Sequence, residues 1–199
     1  MSRREFEKVY KRLDIKLEER GESFYNSRIP AVIKDFEEAG LIKAEEGGAK
    51  CVFVPGYPVP VMLQKSDGGF GYDSTDMAAL KFRLQEVGAC RIVYITDFSQ
   101  SDHFQQCFAA ARLIGWIDPK KHSLEHIGFG TVMGDDGKRF KTRSGDTVRL
   151  VDLLDEAVSR MDTSLRERIR ENKANITLEE VPETSAVLGY GMFLHDTFV

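Results

Sequence analysis

One apolar segment between two helical patterns limits the folds open to this chain. The stretch "RIVYI", residues 91–95, is almost continuously apolar and rich in β-branched side chains, which is typical of a strand buried in a parallel sheet. A helical pattern from about Ser74 to Glu86 precedes it, a second from about Ser99 to Ile114 follows, and the strand-like "EHIGFGTVM" comes next. This order predicts a β-α-β unit and an α/β fold. We expect helices to cover both faces of the strand.

Parallel strands bring their carboxyl ends to one edge of a sheet, where α/β proteins bind their ligands. The segment from Asp97 to His103 and the loop after Met133 both follow strands of the predicted unit. We therefore expect a ligand site at that edge.

The residues before this unit carry weaker patterns. Helical spacing near the start is followed by "LDIKLEE", whose alternation predicts a half-buried strand. A helix comes next, capped by Asn26 or Ser27, with Pro30 in its first turn and Gly40 at its end. The strands "CVFV" and "VPVMLQK" follow, so residues 20–64 are predicted to form a small inserted α+β subdomain.

The residues after the unit are predicted to be helical. An apolar stripe begins at Leu150, and "TLEE" has the pattern of a capping box that opens a last helix. The final "GMFLHDTFV" carries no strong signal. The predicted segments are a lead-in helix and strand over 1–19, the subdomain over 20–64, the β-α-β unit over 65–149 and C-terminal helices over 150–199.

Composition restricts the class of protein. The 199 residues are 42% hydrophobic and 30% charged, with a formal net charge of −4, which is ordinary for a globular chain and argues against non-specific coating of nucleic acid. No apolar run is long enough to cross a bilayer, and the first residues lack the apolar region of a secretory signal. We expect a cytoplasmic protein with no membrane partner. Cys51, Cys90 and Cys107 are odd in number and far apart, which predicts buried thiols.

A cluster of cations stands out against this acidic background. The segment "GKRFKTRSG" places Lys138, Arg139, Lys141 and Arg143 close together, beside the hydroxyl of Thr142. Such a loop could clamp phosphate oxygens, or it could be a solvated basic hairpin. It does not match the P-loop pattern.

Tyr72 and Asp76 form a second candidate site. They lie four positions apart at the start of a predicted helix whose cap is Asp73 or Ser74, so their side chains share one helix face. The helix dipole favours an ionised carboxylate there, which could pair with a guanidinium. The alternative is a capping Asp beside a packed Tyr.

The segment "DFSQSDHF" forms a third candidate site, because it opens the helix that follows the buried strand. Asp97, Gln100 and His103 would lie where α/β folds gather ligand contacts, although capping by Ser99 or Ser101 explains the same segment. The four histidines of the chain show no metal-binding spacing, so we expect no metal centre.

Several long segments carry a resemblance to one family. The chain contains, in the family's order, "RLDIKLEERGESFYN", "VMLQKSDGGFGYDSTDMAAL", "FAAARLIGWIDPK", "GKRFKTRSGDTVRLVDLLDEA" and "VLGYG". Over about residues 1–190 it resembles the catalytic domain of arginyl-tRNA synthetase of the eukaryotic cytosolic type. The resemblance implies a class I synthetase that activates L-arginine with ATP, accompanied by Mg²⁺, and esterifies tRNA-Arg. It also implies that residues 65–149 are the second half of a Rossmann-type parallel sheet.

Matched positions imply roles for individual residues. The positions that correspond to the family's arginine-binding residues are Tyr72, Asp76 and Gln100. The implied ATP site comprises His103, His126, Gly128, Phe129, Lys141, Thr142 and Arg143. The basic loop corresponds to the Lys-Met-Ser-Lys-Ser loop of class I synthetases, and the resemblance leaves open which cation is catalytic among Lys138, Lys141 and Arg143.

The chain lacks sequence features that the family's catalytic enzymes carry. The signature His-Ile-Gly-His is absent, since "HIGF" at His126 follows the arginine-binding positions and ends in Phe129. A helical anticodon-binding domain is also expected after residue 190. We therefore expect a fragment of an arginine–tRNA ligase that exposes an apolar sheet edge and face. The alternative is an inactive form that acts as a protein-interaction module, for instance within an assembly of synthetases.

A polypeptide of residues 1–199 is expected to show no arginine-dependent exchange of pyrophosphate into ATP, because it lacks the signature that completes the family's ATP site. The measurement is ATP–pyrophosphate exchange with cognate tRNA present, and a reaction without arginine serves as the blank. A rate clearly above that blank would contradict the prediction.

Overall fold

The computed structural model describes residues 3–45, 47–130 and 149–198. The chain forms two compact units, one of residues 19–132 and the other of residues 1–18 with 133–199. The helices are α1 (Arg3–Arg12), α2 (Ile29–Glu38), α3 (Tyr72–Lys81), α4 (Ser101–Leu113), α5 (Leu150–Arg170) and α6 (Val181–Phe198). The strands are β1 (Ile42–Ala44), β2 (Lys50–Val52), β3 (Val61–Gln64), β4 (Arg91–Asp97) and β5 (Ser123–Phe129).

The predicted β-α-β unit is confirmed in residues 19–132. Strands β4 and β5 pair in parallel, from Arg91 opposite Ser123 to Asp97 opposite Phe129, and α4 connects them. The strands β1, β2 and β3 form a separate antiparallel sheet in that order. The predicted α/β fold, with its parallel strand pair and a smaller antiparallel sheet, is therefore present. Strand β1 is one that the sequence patterns did not indicate.

The expectation that both faces of β4 are covered is wrong for the residues that the structure describes. Ile92 is buried and packs with the core beneath α4, but on the opposite face Val93 is 38%, Ile95 64% and Ile127 52% exposed. The described helices pack against one face only, so this face of the sheet is apolar and open. The exposed apolar face that the half sheet was expected to have is therefore observed.

A single hydrophobic core holds the unit of residues 19–132 together. The apolar stripe of α2, predicted from its spacing, is buried, and Phe36 packs edge-on against Trp116. The same core takes in Leu63 of β3, Leu80 of α3 and Phe108 of α4. Residues on both sides of the proposed 64/65 boundary therefore share one core, and the division into 20–64 and 65–149 stays a prediction.

Three local predictions are wrong. The segment "LDIKLEE" forms no strand in the described chain; Ile15 and Leu17 are exposed, because an alternating pattern needs a neighbouring strand to complete its hydrogen bonds. Helix α2 follows a 3₁₀ turn and has no side-chain cap, so neither Asn26 nor Ser27 caps it. Cys90 is exposed, whereas Cys51 and Cys107 are buried as predicted.

The other unit is helical, as predicted. Helix α5 packs along α6, and a Cβ on Gly189 would come within 2.9 Å of the Val158 backbone, so glycine permits the close approach. Arg12 of α1 contacts Asp155 at 2.7 Å and the Tyr190 hydroxyl at 3.1 Å. Glu180 accepts the backbone N–H of Thr177 at 2.7 Å, which is one half of the predicted capping box. None of the described helices has the length and apolar character needed to cross a bilayer.

Replacing Phe108 with alanine is expected to lower the free energy of unfolding of the unit by about 3–5 kcal/mol, because the side chain is fully buried against Phe104 and Tyr94. Urea denaturation followed by the fluorescence of Trp116, the chain's single tryptophan, provides the measurement. The matched control is Phe53→Ala at an exposed position, with an expected loss below about 1 kcal/mol. Equal losses in the two variants would contradict the assignment of this core.

Candidate functional site

The start of α3 carries two of the three predicted arginine-binding residues, Tyr72 and Asp76. Gly71 is the N-cap of this helix, so the prediction that Asp73 or Ser74 occupies the cap position is wrong. The hydroxyl of Ser74 is buried, donates to the Leu63 carbonyl at 2.8 Å and accepts the Gly71 N–H at 3.3 Å. These bonds attach the start of α3 to β3 and orient the turn that holds Tyr72 and Asp76.

His103 joins this turn to α4. Its Nε2 lies 2.7 Å from Asp76 Oδ2, and its Nδ1 lies 3.4 Å from Asp73 Oδ1. The ring of Tyr72 stands edge-on to the imidazole, with 4.9 Å between ring centroids. The side chains of His103, Asp73 and Asp76 are 18%, 16% and 30% exposed, so water screens their charges only in part. We call these three residues the carboxylate–imidazole cluster.

The cluster determines the charge of the imidazole. Burial acts to lower the pKa of His103, but its hydrogen bonds to Asp73 and Asp76 outweigh that effect and raise the pKa to about 12. His103 is therefore an imidazolium at neutral pH, with both ring nitrogens donating. Burial also raises the pKa of Cys107, whose Sγ lies 3.7 Å from His103 Nε2, so that sulfur is a thiol.

A cavity of about 340 Å³ lies beside this turn. Tyr72 and Asp76 both line it, which confirms that their side chains share one face. The remaining lining residues are Arg20, Glu22, Tyr25, Thr75, Ala79 and Arg83. Acidic, basic and aromatic groups therefore surround a space next to the Asp76 carboxylate.

Gln100 lies apart from that cavity. It ends the 3₁₀ turn Phe98–Gln100, which Asp97 caps by accepting the Ser99 N–H at 2.9 Å. Among the described residues, Gln100 is not part of the cavity lining. Its role in arginine binding stays a prediction.

Three predicted ATP-binding residues lie on β5. His126 Nε2 is 2.8 Å from the Thr96 hydroxyl of β4, and its ring stacks on Phe104 with 5.2 Å between centroids. A Cβ on Gly128 would come within 2.8 Å of the Phe98 Cα, so only glycine fits where the turn after β4 crosses β5. Phe129 is exposed at the carboxyl end of the strand.

The fourth, His103, is separated from His126 by one aromatic ring. The Phe104 ring contacts His103 at 5.1 Å and His126 at 5.2 Å between centroids. The carboxylate–imidazole cluster and the edge of β5 are thus neighbours in one packed arrangement. The predicted loop residues Lys138, Lys141, Thr142 and Arg143 lie outside the described residues.

Sequence reasoning missed the pairing of His103 with two carboxylates. The sequence pattern indicates only a capping role for Asp73, yet its Oδ2 accepts the Met62 N–H at 2.9 Å and its Oδ1 faces His103. The spacing of Asp73 and Asp76, three positions apart on one helix, did place both on one face. The partner on α4 is 27 positions beyond Asp76, and only the tertiary fold brings it there.

The His103 pKa predicts how stability changes with pH. Because the folded value of about 12 lies above the unfolded value of 6.5, the stabilisation is fully present below pH 6.5 and is lost as pH rises toward 12. Between pH 7 and 9, we expect the wild-type free energy of unfolding to fall by about 1 kcal/mol or more relative to His103→Gln. Urea denaturation at both pH values measures this difference.

His122→Gln is the matched control, because His122 accepts the Asp118 N–H away from the cluster. It should follow the wild-type pH dependence. A His103→Gln variant with the same slope as wild type would mean that His103 is not an imidazolium in the folded chain.

Comparison with known proteins places the chain in a family. The family model described as "tRNA synthetases class I (R), catalytic domain" matches residues 1–196. The arginine–tRNA ligase of Synechococcus sp. is 50% identical over 196 residues, and the cytoplasmic arginine–tRNA ligase of Xenopus tropicalis is 51% identical over 191. These matches cover 96% of this chain and 33% and 28% of the relatives, so the chain spans about a third of their length.

Solved structures agree with the family match. The crystal structure of arginyl-tRNA synthetase from Plasmodium falciparum superposes with a TM-score of 0.80 at 34% identity, over 96% of this chain and 31% of that one. A putative arginyl-tRNA synthetase from Campylobacter jejuni superposes at 0.55 with 14% identity and shares the fold. The chain therefore belongs to the class I arginyl-tRNA synthetases, as part of their catalytic domain.

Proposed function

We propose that this chain supplies the arginine-binding part of the catalytic site of an arginine–tRNA ligase. The observation that carries the proposal is the joint position of Tyr72 and Asp76 on one wall of a cavity of about 340 Å³. In the proposed reaction, ATP activates L-arginine with release of pyrophosphate, and the arginyl group is then transferred to tRNA-Arg.

Asp76 is proposed to bind the guanidinium of the substrate. A carboxylate and a guanidinium form two parallel charge-assisted hydrogen bonds. Each carboxylate oxygen can accept about two hydrogen bonds, so the contact from His103 to Oδ2 leaves room for the guanidinium on the same group. Tyr72, whose side chain is exposed at the cavity, would contact the same end of the substrate, with Gln100 as a further proposed partner.

The ATP side is proposed to follow the carboxyl end of β5. His126, Gly128 and Phe129 lie along that strand, and Gly128 keeps its backbone close to Phe98. His103 is proposed to act on the ATP side indirectly, because its ring packs against Phe104, which in turn stacks on His126. ATP enters as a substrate and carries Mg²⁺ on its phosphates.

The basic loop is proposed to act on the triphosphate. Lys138, Lys141 and Arg143, with Thr142, would contact the oxygens that gain charge as pyrophosphate leaves. Contacts that strengthen in the transition state raise the rate, and the loss of one such donor typically costs about 2–4 kcal/mol in the barrier.

A protein-interaction module is the second candidate function. The observation that favours it is the open apolar face of Val93, Ile95 and Ile127 on the parallel sheet. Exposed apolar patches of this kind often contact another protein, and an assembly of synthetases is one setting in which such a module would act. This candidate requires no arginine binding, so titration with arginine separates the two functions. In either case we propose a cytoplasmic location.

Replacing Asp76 with asparagine is expected to weaken arginine binding by about 2 kcal/mol or more, because a neutral amide cannot pair with the guanidinium. Isothermal titration of the folded chain with L-arginine measures the loss. Citrulline, the neutral analogue of arginine, is the matched ligand: wild type should prefer arginine strongly, and the variant should largely lose that preference.

Asp102→Asn is the control variant, since Asp102 is exposed in the first turn of α4. It should bind arginine like wild type. An Asp76→Asn variant with unchanged arginine affinity and unchanged discrimination against citrulline would remove Asp76 from the site.

A further inference from the structure

His103 contacts two of the three residues proposed to bind arginine, Asp76 and Tyr72. Its Nε2 lies 2.7 Å from Asp76 Oδ2, and its ring stands against that of Tyr72. On the other side, its Nδ1 faces Asp73 Oδ1. The second oxygen of Asp73, Oδ2, accepts a hydrogen bond from the backbone N–H of Met62 in β3. The imidazole therefore links a carboxylate anchored on a sheet to a carboxylate that lines the cavity.

We propose that His103 is a positioning and charge-setting residue: with Asp73, it holds the Asp76 carboxylate in place and leaves the carboxylate–imidazole cluster with one net negative charge beside the substrate guanidinium. The inference rests on the proposed arginine-binding function. It assigns His103 to the amino-acid side of the site, through Asp76 and Tyr72, in addition to its proposed role on the ATP side.

The charges of the cluster carry the argument. Two carboxylates and one imidazolium sum to −1, which a singly charged guanidinium neutralises. Without the imidazolium, two carboxylates on one helix turn would repel each other, and one of them would take up a proton as the pH falls. Without Asp73, the imidazolium would cancel the charge of Asp76, and the cluster would offer no net attraction to a cation.

The groups packed around the imidazole are consistent with a net charge of −1 on the cluster. From α3 it faces Tyr72 and the two carboxylates, and on its own helix it faces the Cys107 thiol. Tyr94 of β4 packs on the far side of Phe104, and burial raises the pKa of its phenol to about 12, so it is neutral. Arg83 lies over the Tyr94 ring at 4.9 Å and lines the cavity. Tyr94 therefore adds no charge beside Phe104, whereas Arg83 adds a cation to the cavity wall.

A charge-compensation cycle tests the proposal on the whole chain. Arginine affinity is measured by isothermal titration at pH 6 for wild type, Asp73→Asn, His103→Gln and the double variant. We expect Asp73→Asn to raise the dissociation constant about tenfold or more, because the cluster becomes neutral. The double variant restores a net charge of −1 and should return to within about threefold of wild type, a coupling that additive effects would not produce.

The pH profile of His103→Gln provides a second measurement. The dissociation constant of this variant for arginine should rise about fivefold or more from pH 8.5 to pH 5.5, because the paired carboxylates then share a proton. The dissociation constant of wild type should change by less than about twofold. His122→Gln is the control and should match wild type. Circular dichroism establishes that each variant is folded.

Each outcome has a defined meaning. Rescue in the double variant together with a new pH dependence in His103→Gln supports the proposal, and should the double variant not fold, the single-variant profile decides. If the double variant binds no better than Asp73→Asn, or if His103→Gln shows the flat profile and affinity of wild type, the role of His103 is refuted while the arginine site stands. A folded wild-type chain that binds no arginine refutes the proposed function and this inference together.

Discussion

The burial of α3 on three sides is the constraint on which the rest of the larger unit depends. The helix packs against α2, β3 and α4, and Met77, Ala78 and Leu80 have almost no exposed surface. The hydroxyl of Ser74, hydrogen-bonded to the Leu63 carbonyl, fixes its first turn. Since the backbone of that turn cannot move without opening the core, the side chains it presents at the cavity keep their positions.

That rigidity has an electrostatic cost, which His103 offsets. Two carboxylates three positions apart on a partly buried turn repel each other, and burial disfavours their charge. An imidazolium between them satisfies both, and the same ion holds the carboxylate that faces the cavity. If Asp76 binds arginine as proposed, the same contacts serve both stability and ligand recognition, and a change in any one member of the cluster is expected to affect both.

The predictions from sequence succeeded where the signal is local. The alternation of helix and strand patterns around "RIVYI" predicted the parallel pair and α4, and the spacing of Tyr72 and Asp76 placed them on one helix face. Failures arose where a second element decides the outcome. The "LDIKLEE" segment has the alternation of a strand but forms none in the described chain. Strand β4 is as apolar as a strand covered on both sides, but the described residues cover only one of its faces.

The sequence by itself determined the order of the elements, the buried faces of the helices, the family and the helix face that carries Tyr72 and Asp76, because each depends on residue types at short or regular spacing. Only the tertiary structure decided which partners those residues have. It brought His103 from α4 to the two carboxylates of α3, made Asp73 an ion-pair partner and not a cap, and left one face of the parallel sheet uncovered by the described residues. Such contacts join residues far apart in the chain, and their formation depends on how whole elements pack, which no local pattern of side chains encodes.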